Sequence, residues 1–242
     1  MQMRAVLKMY MVRLILVMLA IGIEASVNGQ SLVVLHSPAE LTKKTQQDPS
    51  QGLVDLATAV PHLKLDLRYA STHNFTGVRL YPKGQHRSYL RRDPAAALAQ
   101  AAKELEAEGL GIWVWDAYRP YSVTVRFWEM IGDERYVAHP SKGSGHNRGI
   151  AVDLTLYDMK TGKVLDMPTE FDDFSESAHH GYAALTEKKI SNRELLRVVM
   201  ERNGFIKFQT EWWHYYWPNA DRYDVLDIPF NELKKELRAV EQ

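Results

Sequence analysis

The chain has 242 residues, 45% of them hydrophobic and 25% charged, which fits one domain of ordinary to large size or two small ones and excludes a wholly disordered or fibrous chain. Its 30 basic and 30 acidic side chains cancel, so no overall field draws it to nucleic acid. It has no cysteine, which excludes disulfides, thiolate metal sites, iron–sulfur clusters, a thiol nucleophile and a lipidated cysteine. Any metal must be held by histidines and carboxylates.

The first residues combine a basic stretch (Arg4, Lys8, Arg13) with an apolar run from Leu14 to Ile23, followed by the small residues Ala25 and Ser26. The run is short against the roughly 20 residues of a spanning helix. Residues 1–25 therefore resemble a secretory signal peptide, with an uncleaved anchor as the lesser alternative. Export implies a periplasmic or secreted protein. Residues 26–52 are polar and mixed and are expected to be a flexible lead-in to a domain over 53–242.

Alternation of Leu63, Leu65, Leu67 and Tyr69 with Lys64, Asp66 and Arg68 predicts a half-buried strand. Residues 71–92 are rich in turn formers and predict a long loop. Asp93-Pro94 predicts a capped helix running to Gly109. Gly111 to Trp115 predicts a short apolar strand, and Pro120 opens a helix to about Ile131. A polar loop over 133–147 leads to a strand over Gly149 to Leu156, with a hairpin turn at 157–163. A second loop, acidic and His-containing, spans 166–190. Ser191 and Glu194 suggest a capping box for a helix ended by Asn203-Gly204. Phe205 to Phe208 and Trp212 to Trp217 predict two last strands, and a short charged helix follows Asn231. The order predicts an α+β fold with a central, mainly antiparallel sheet and flanking helices.

Two segments carry chemistry: Ser144-Gly145-His146 through Asp153, and Glu211-Trp212-Trp213-His214. They offer two imidazoles, one carboxylate to bind a metal and one more carboxylate. A catalytic zinc site takes three protein ligands and keeps a position for water, and a nearby carboxylate can take that water's proton. Alternation puts Asp153 with Ala151 and Thr155 on a face expected to be open and wetted, where metal or plain solvent would each justify an acid. Glu211 and His214 are three apart, so in a strand they face opposite ways; the chain must bend near Glu211 if both serve one site. The aromatic residues around them are assigned to core and pocket wall. His62, His73, His86 and His139 are assigned to the surface or to hydrogen bonds. The His179-His180 pair is assigned a supporting role behind the ligands.

At these residues the sequence resembles the zinc D-Ala-D-Ala dipeptidases of the VanX type, relatives of zinc D,D-carboxypeptidases and of the hedgehog signalling domain. The resemblance also rests on Tyr69 with Asn74-Phe75-Thr76-Gly77, on Trp115-Asp116-Ala117-Tyr118-Arg119-Pro120, and on Phe171-Asp172 with Ser177-Ala178-His179-His180. These segments come in the family's order over about residues 55–217. Asn147 and Ala117 stand where related enzymes vary, and the N-terminal stretch is longer than a cytoplasmic member would carry.

The resemblance implies one zinc ion held by His146, Asp153 and His214, Glu211 as catalytic base and then acid, and Arg119 as the cation that stabilises the transition state. It supports Asp172 as partner of a substrate ammonium, and Ser144 and Tyr69 are candidates for polar contacts to substrate. Arg119 alternatively pairs with Asp116 and shapes the turn, and Asp172 is alternatively a solvated acid beside Glu170 and Asp173. The implied partner is a small D,D-dipeptide, in peptidoglycan turnover or glycopeptide resistance. The competing activities are a D,D-carboxypeptidase on longer stem peptides and a non-catalytic zinc-binding module. Nothing in the sequence signals nucleic acid, a protein partner, or stable membrane insertion once the leader is removed.

Overall fold

In the computed structural model, residues 32–233 are described. The expected leader over 1–25, the first part of the lead-in and most of the charged helix expected after Asn231 lie outside them. Among the described residues no helix is long and apolar enough to cross a membrane.

The flexible lead-in is corrected from Leu32 onward. Strand β1 (Val34–Leu35) is followed by helix α1 (Pro38–Gln47) and a 3-10 turn at Pro49–Gln51. Helix α1 starts on a capping box that the sequence carries in plain view. The Ser37 hydroxyl accepts from the Glu40 amide, Glu40 returns to the Ser37 backbone, and Pro38 fills the first turn. Leu35 and Leu41 are buried and bind the segment to the rest.

Strand β2 (Leu53–Asp55) and helix α2 (Leu56–Ala59) lead to β3 (Lys64–Leu65). β3 is shorter than the alternation predicts: the Asp66 amide makes its last bond to Val114, and a 3-10 turn at Arg68–Ala70 takes over. After β4 (Tyr89–Arg91), helix α3 (Arg92–Glu106) starts one residue before Asp93, so that residue lies inside the first turn instead of capping it. Strand β5 (Leu110–Asp116), helix α4 (Tyr121–Ile131) and strand β6 (Ala151–Asp158) fall close to their expected places. Helix α5 (Glu187–Arg202) begins a turn earlier than expected, because Thr186 caps it by accepting from the Lys189 amide; Ser191 and Glu194 lie within it. Strands β7 (Ile206–Lys207), β8 (His214–Tyr216) and β9 (Val225–Leu226) close the order.

The central sheet has the order β3-β5-β6-β8-β7. Its β3–β5 pairing is parallel and the others are antiparallel. β1 pairs with β9 and β2 with β4 in two small ribbons. One face of the sheet, with Ile112, Val114, Val152, Leu154 and Leu156, shares a core with Leu98, Ala101, Ala102 and Leu105 of α3 and Leu196, Val199 and Met200 of α5. A second core gathers Leu67, Tyr69, Tyr81, Tyr118, Phe127 and Phe230.

The opposite face of β6 is not wetted, contrary to expectation. Ala151, Asp153 and Thr155 are all buried. Phe171 packs on Trp115 and Trp213 beside these strands, and Asp153, 3% exposed, must find partners inside the protein.

Candidate active site

Strand register builds the centre of the site. The β5–β6 ladder slips at a bulge between Val114 and Asp116, which sets Asp116 opposite Asp153; on the other edge of β6, Asp153 is opposite His214. One row across three strands thus reads Asp116, Asp153, His214. Bulges re-aim side chains in this way, and here a buried acid is turned toward another that is 3% exposed.

His146 enters from the turn before β6. That turn needs glycine twice. Gly149 has φ +69°, and a Cβ on Gly145 would lie 2.9 Å from the Ala151 Cβ. The His146 Nδ1–H donates to the Ala117 carbonyl at 2.7 Å, which leaves Nε2 facing the row. Nε2 lies 3.4 Å from Asp153 Oδ2 and 3.2 Å from His214 Nδ1, and His214 Nδ1 lies 2.8 Å from Asp153 Oδ1. All three ligand atoms fall within 4.8 Å of one another. Two imidazoles and one carboxylate packed this closely at the wall of a cleft form a donor set suited to a divalent cation. Burial works against ionisation of Asp153, but His146 and His214 outweigh it and hold its carboxyl below the usual range.

Arg119 and Glu211 flank this set. The Arg119 Nε and Nη2 atoms bind Asp116 Oδ2 at 2.9 and 2.8 Å, and Nη2 lies 4.0 Å from Asp153 Oδ2. Burial alone would lower the Arg119 pKa, yet Asp116 raises it well above its ordinary value, so the guanidinium stays charged. Its Cζ lies over the rings of Phe127, at 4.7 Å from the centroid, and Tyr69, at 5.2 Å. The pairing with Asp116 and a position in the site, weighed as alternatives from the sequence, are both present: Asp116 holds the arginine that faces the ligands. Asp116 is fixed in turn by the Tyr81 hydroxyl at 2.7 Å and the Ala117 amide at 3.0 Å.

The chain bends at Glu211, as the spacing required. Glu211 lies ahead of β8, the His214 amide donates to its carbonyl at 3.2 Å, and Glu211 Oε2 comes to 3.9 Å from His214 Nδ1. Burial pushes the Glu211 carboxyl up to about 7, with His214 opposing and Asp153 adding to the rise. A cation on the three ligands pulls it back down.

These side chains line one cleft of about 240 Å³, and Tyr69, Ser144 and Asp172 line it too. Every site residue expected from the sequence therefore meets in a single cavity. Asp172 is not a solvated loop acid. It sits at φ +62°, accepts from the Tyr69 hydroxyl at 3.1 Å, and is pushed up to about 8 by burial and then by the charge of Asp153. The Ser144 hydroxyl accepts from the Asn147 amide at 3.2 Å, so it shapes the turn as well as lining the cleft.

A family model described as D-ala-D-ala dipeptidase matches residues 49–235. The D-alanyl-D-alanine dipeptidase of Escherichia coli (strain K12) is 37% identical over 179 residues, covering 74% of this chain and 91% of that protein. The D-alanyl-D-alanine dipeptidase of Enterococcus faecalis (strain ATCC 700802 / V583) is 31% identical over 182 residues, covering 68% and 90%. The chain belongs to the D-Ala-D-Ala dipeptidase family. It is a peptidase of that family, as the resemblance implied. A solved structure described as "VanYB in complex with D-Alanine-D-Alanine" aligns at 16% identity and a TM-score of 0.36, over 56% of this chain and 75% of its own.

Two parts of the dipeptidase site escaped sequence reasoning. Asp116 was weighed only as a local partner of Arg119, although an acid ending an apolar strand gave the same signal as Asp153. The Ala117 carbonyl, which selects the His146 tautomer, carries no side-chain signal. The His179-His180 pair is corrected. Among the described residues neither ring bonds a metal ligand, and both ring nitrogens of His180 are buried without a hydrogen-bond partner. His180 packs against Tyr215, which lies in the core on the face of β8 opposite His214.

Proposed function

We propose that this chain is a zinc dipeptidase that hydrolyses D-Ala-D-Ala to two D-alanines. One observation carries the reading: a His146/Asp153/His214 donor set, its first two members buried and the third partly buried, opens with a charged arginine and a largely buried glutamate into one cleft that also holds the Tyr69–Asp172 pair. The cleft, of about 240 Å³, is of a size that suits a small ligand.

His146, Asp153 and His214 would hold a zinc ion, which would supply Lewis acidity and lower the pKa of the attacking water towards neutrality. Glu211 accepts the water's proton on its carboxylate and later returns it to the leaving amine. Arg119 presents guanidinium N–H groups to the oxyanion that develops at the scissile carbonyl. Because Asp116 and the two rings fix the guanidinium beforehand, little reorganisation opposes it. Asp172, oriented by Tyr69, pairs with the ammonium of the free dipeptide, whose positive charge draws the raised Asp172 pKa back down and favours the carboxylate. Tyr69 donates a hydrogen bond to Asp172 and keeps its proton, its pKa being raised by burial and by that acid. Ser144 offers a polar contact at the cleft wall.

The chemistry is tested with the zinc-loaded protein and D-Ala-D-Ala, following D-alanine. Turnover lost on chelation, restored by zinc, and absent in a zinc-bound Glu211→Ala variant is the expected result. Near wild-type turnover in that variant removes the assigned base.

We further propose export, on the basic and apolar character of residues 1–25. An exported enzyme meets released cell-wall fragments, which favours turnover or scavenging over protection of cytoplasmic precursors. Unchanged location after deletion of residues 1–25 refutes this.

A further inference from the structure

The loop that carries Glu211 is closed at its base by the Phe208 amide, which donates to the His214 carbonyl at 2.9 Å. Its outer edge rests on a short irregular segment, 178–182. The Trp212 amide donates to the Ala178 carbonyl and the His180 amide to the Gln209 carbonyl, both at 3.0 Å. Glu211 lies between these two attachments.

Helix α5 supports that segment from behind. Arg193 is 4% exposed, and its Nη1 donates to the carbonyls of His179 at 3.1 Å and Tyr182 at 2.8 Å. Its Nε lies 3.7 Å from a Glu194 oxygen and makes no hydrogen bond. Burying a guanidinium is costly, and this one makes its hydrogen bonds to backbone carbonyls of a single segment. Arg193 does not line the cleft, and among the described residues its hydrogen bonds and ion pair go to His179, Tyr182 and Glu194.

We infer that Arg193 is a positioning residue for Glu211, acting through the 178–182 segment. The inference rests on the base role given to Glu211. Two bonds from Arg193 fix the segment, two bonds from the segment fix the loop, and the loop sets where the Glu211 carboxylate stands. A misplacement of about 1 Å in such a group costs on the order of 10²-fold in rate. The effect belongs in kcat more than in the ligand set, since His146 and Asp153 are held by the turn at 144–149 and by β6, and His214, although bonded to the Glu211 loop, is also held to β6 by the β8 ladder.

The test compares Arg193→Met and Arg193→Lys in the zinc-loaded full chain, alone and combined with Glu211→Gln. The expected result for Arg193→Met is a fall in kcat of about 10²-fold with KM changed less than about threefold and zinc content unchanged. Lysine, which still reaches a carbonyl, restores part of the loss. In the Glu211→Gln background the Arg193 change adds less than about twofold, because the group it positions is already gone. Full additivity in that background, or an unaltered kcat with only a lower melting point, overturns the inference. If Arg193→Met does not fold, Arg193→Lys carries the same comparison. Amide exchange gives a reading independent of turnover: the Trp212 and His180 amides exchange faster in the variants while those of β5 and β6 do not. Uniform acceleration, or none, overturns the inference even if the wild-type protein proves inactive on D-Ala-D-Ala, a result that by itself refutes only the proposed function.

Discussion

Replacing Arg119 by lysine is not conservative here. Lysine keeps a charge but loses the fork that binds Asp116 Oδ2 through Nε and Nη2 while facing the ligands. Loss of the cation or of the base should each raise the barrier by at least about 2.7–4 kcal/mol, by comparison with loss of an oxyanion donor. Steady-state turnover of Arg119→Lys and Glu211→Ala, each with its zinc content verified, checks this. Asp116→Asn should act differently. It removes a fully buried partner and leaves the guanidinium uncompensated, a change that costs about 3–5 kcal/mol in buried pairs. Urea unfolding should therefore show a large loss of stability alongside the loss of activity. Asp116 is the residue whose importance the sequence concealed. Its pairing with Arg119 was foreseeable, but a local pair is worth little when exposed, and only the bulge in β5 shows that this pair is buried beside Asp153.

At the scale of elements, the interface of β8 with α5 should respond to pH. Burial, with Lys207 and Arg193 adding, pushes the His180 pKa down to about 4. The unfolded chain then binds a proton at this position between about pH 6.5 and 4 that the folded chain does not, so stability falls as pH falls through that window. The size is up to about 3 kcal/mol, and His180→Phe should flatten that part of the wild-type stability profile. Helix α1 gives a second prediction: Ser37→Ala breaks the capping box and should cost about 1 kcal/mol in urea unfolding. The elements were legible to different degrees for physical reasons. Helices α3 and α4 and strands β5 and β6 carry long apolar patterns and fell near their places. β3 was overextended because its alternation continues past the last residue that pairs with β5. Helix α1 is hard to read in the sequence because its single buried residue, Leu41, gives almost no periodic signal, although its capping box is there. Exposure of one face of β6 could not be read from that strand, since what covers it comes from elsewhere in the chain.

At the scale of the molecule, the site was more legible than the fold around it. Residues as far apart in sequence as Tyr69 and His214 were drawn together by their motifs, and all of them line one cleft. The reason is chemical: a donor set of His146, Asp153 and His214 with Glu211 and Arg119 makes sense only if shared, whereas supports such as the Ala117 carbonyl follow from the packed chain alone. The cleft is lined by the ligand set and by the Tyr69–Asp172 pair. On this account that pair requires a free ammonium, which makes the enzyme a dipeptidase and not a carboxypeptidase. The direct measurement is alanine release by the zinc-loaded protein from D-Ala-D-Ala, with N-acetyl-D-Ala-D-Ala and L-Ala-L-Ala in parallel. The account predicts release from the free D,D-dipeptide alone. Release mainly from the acetylated substrate would contradict it.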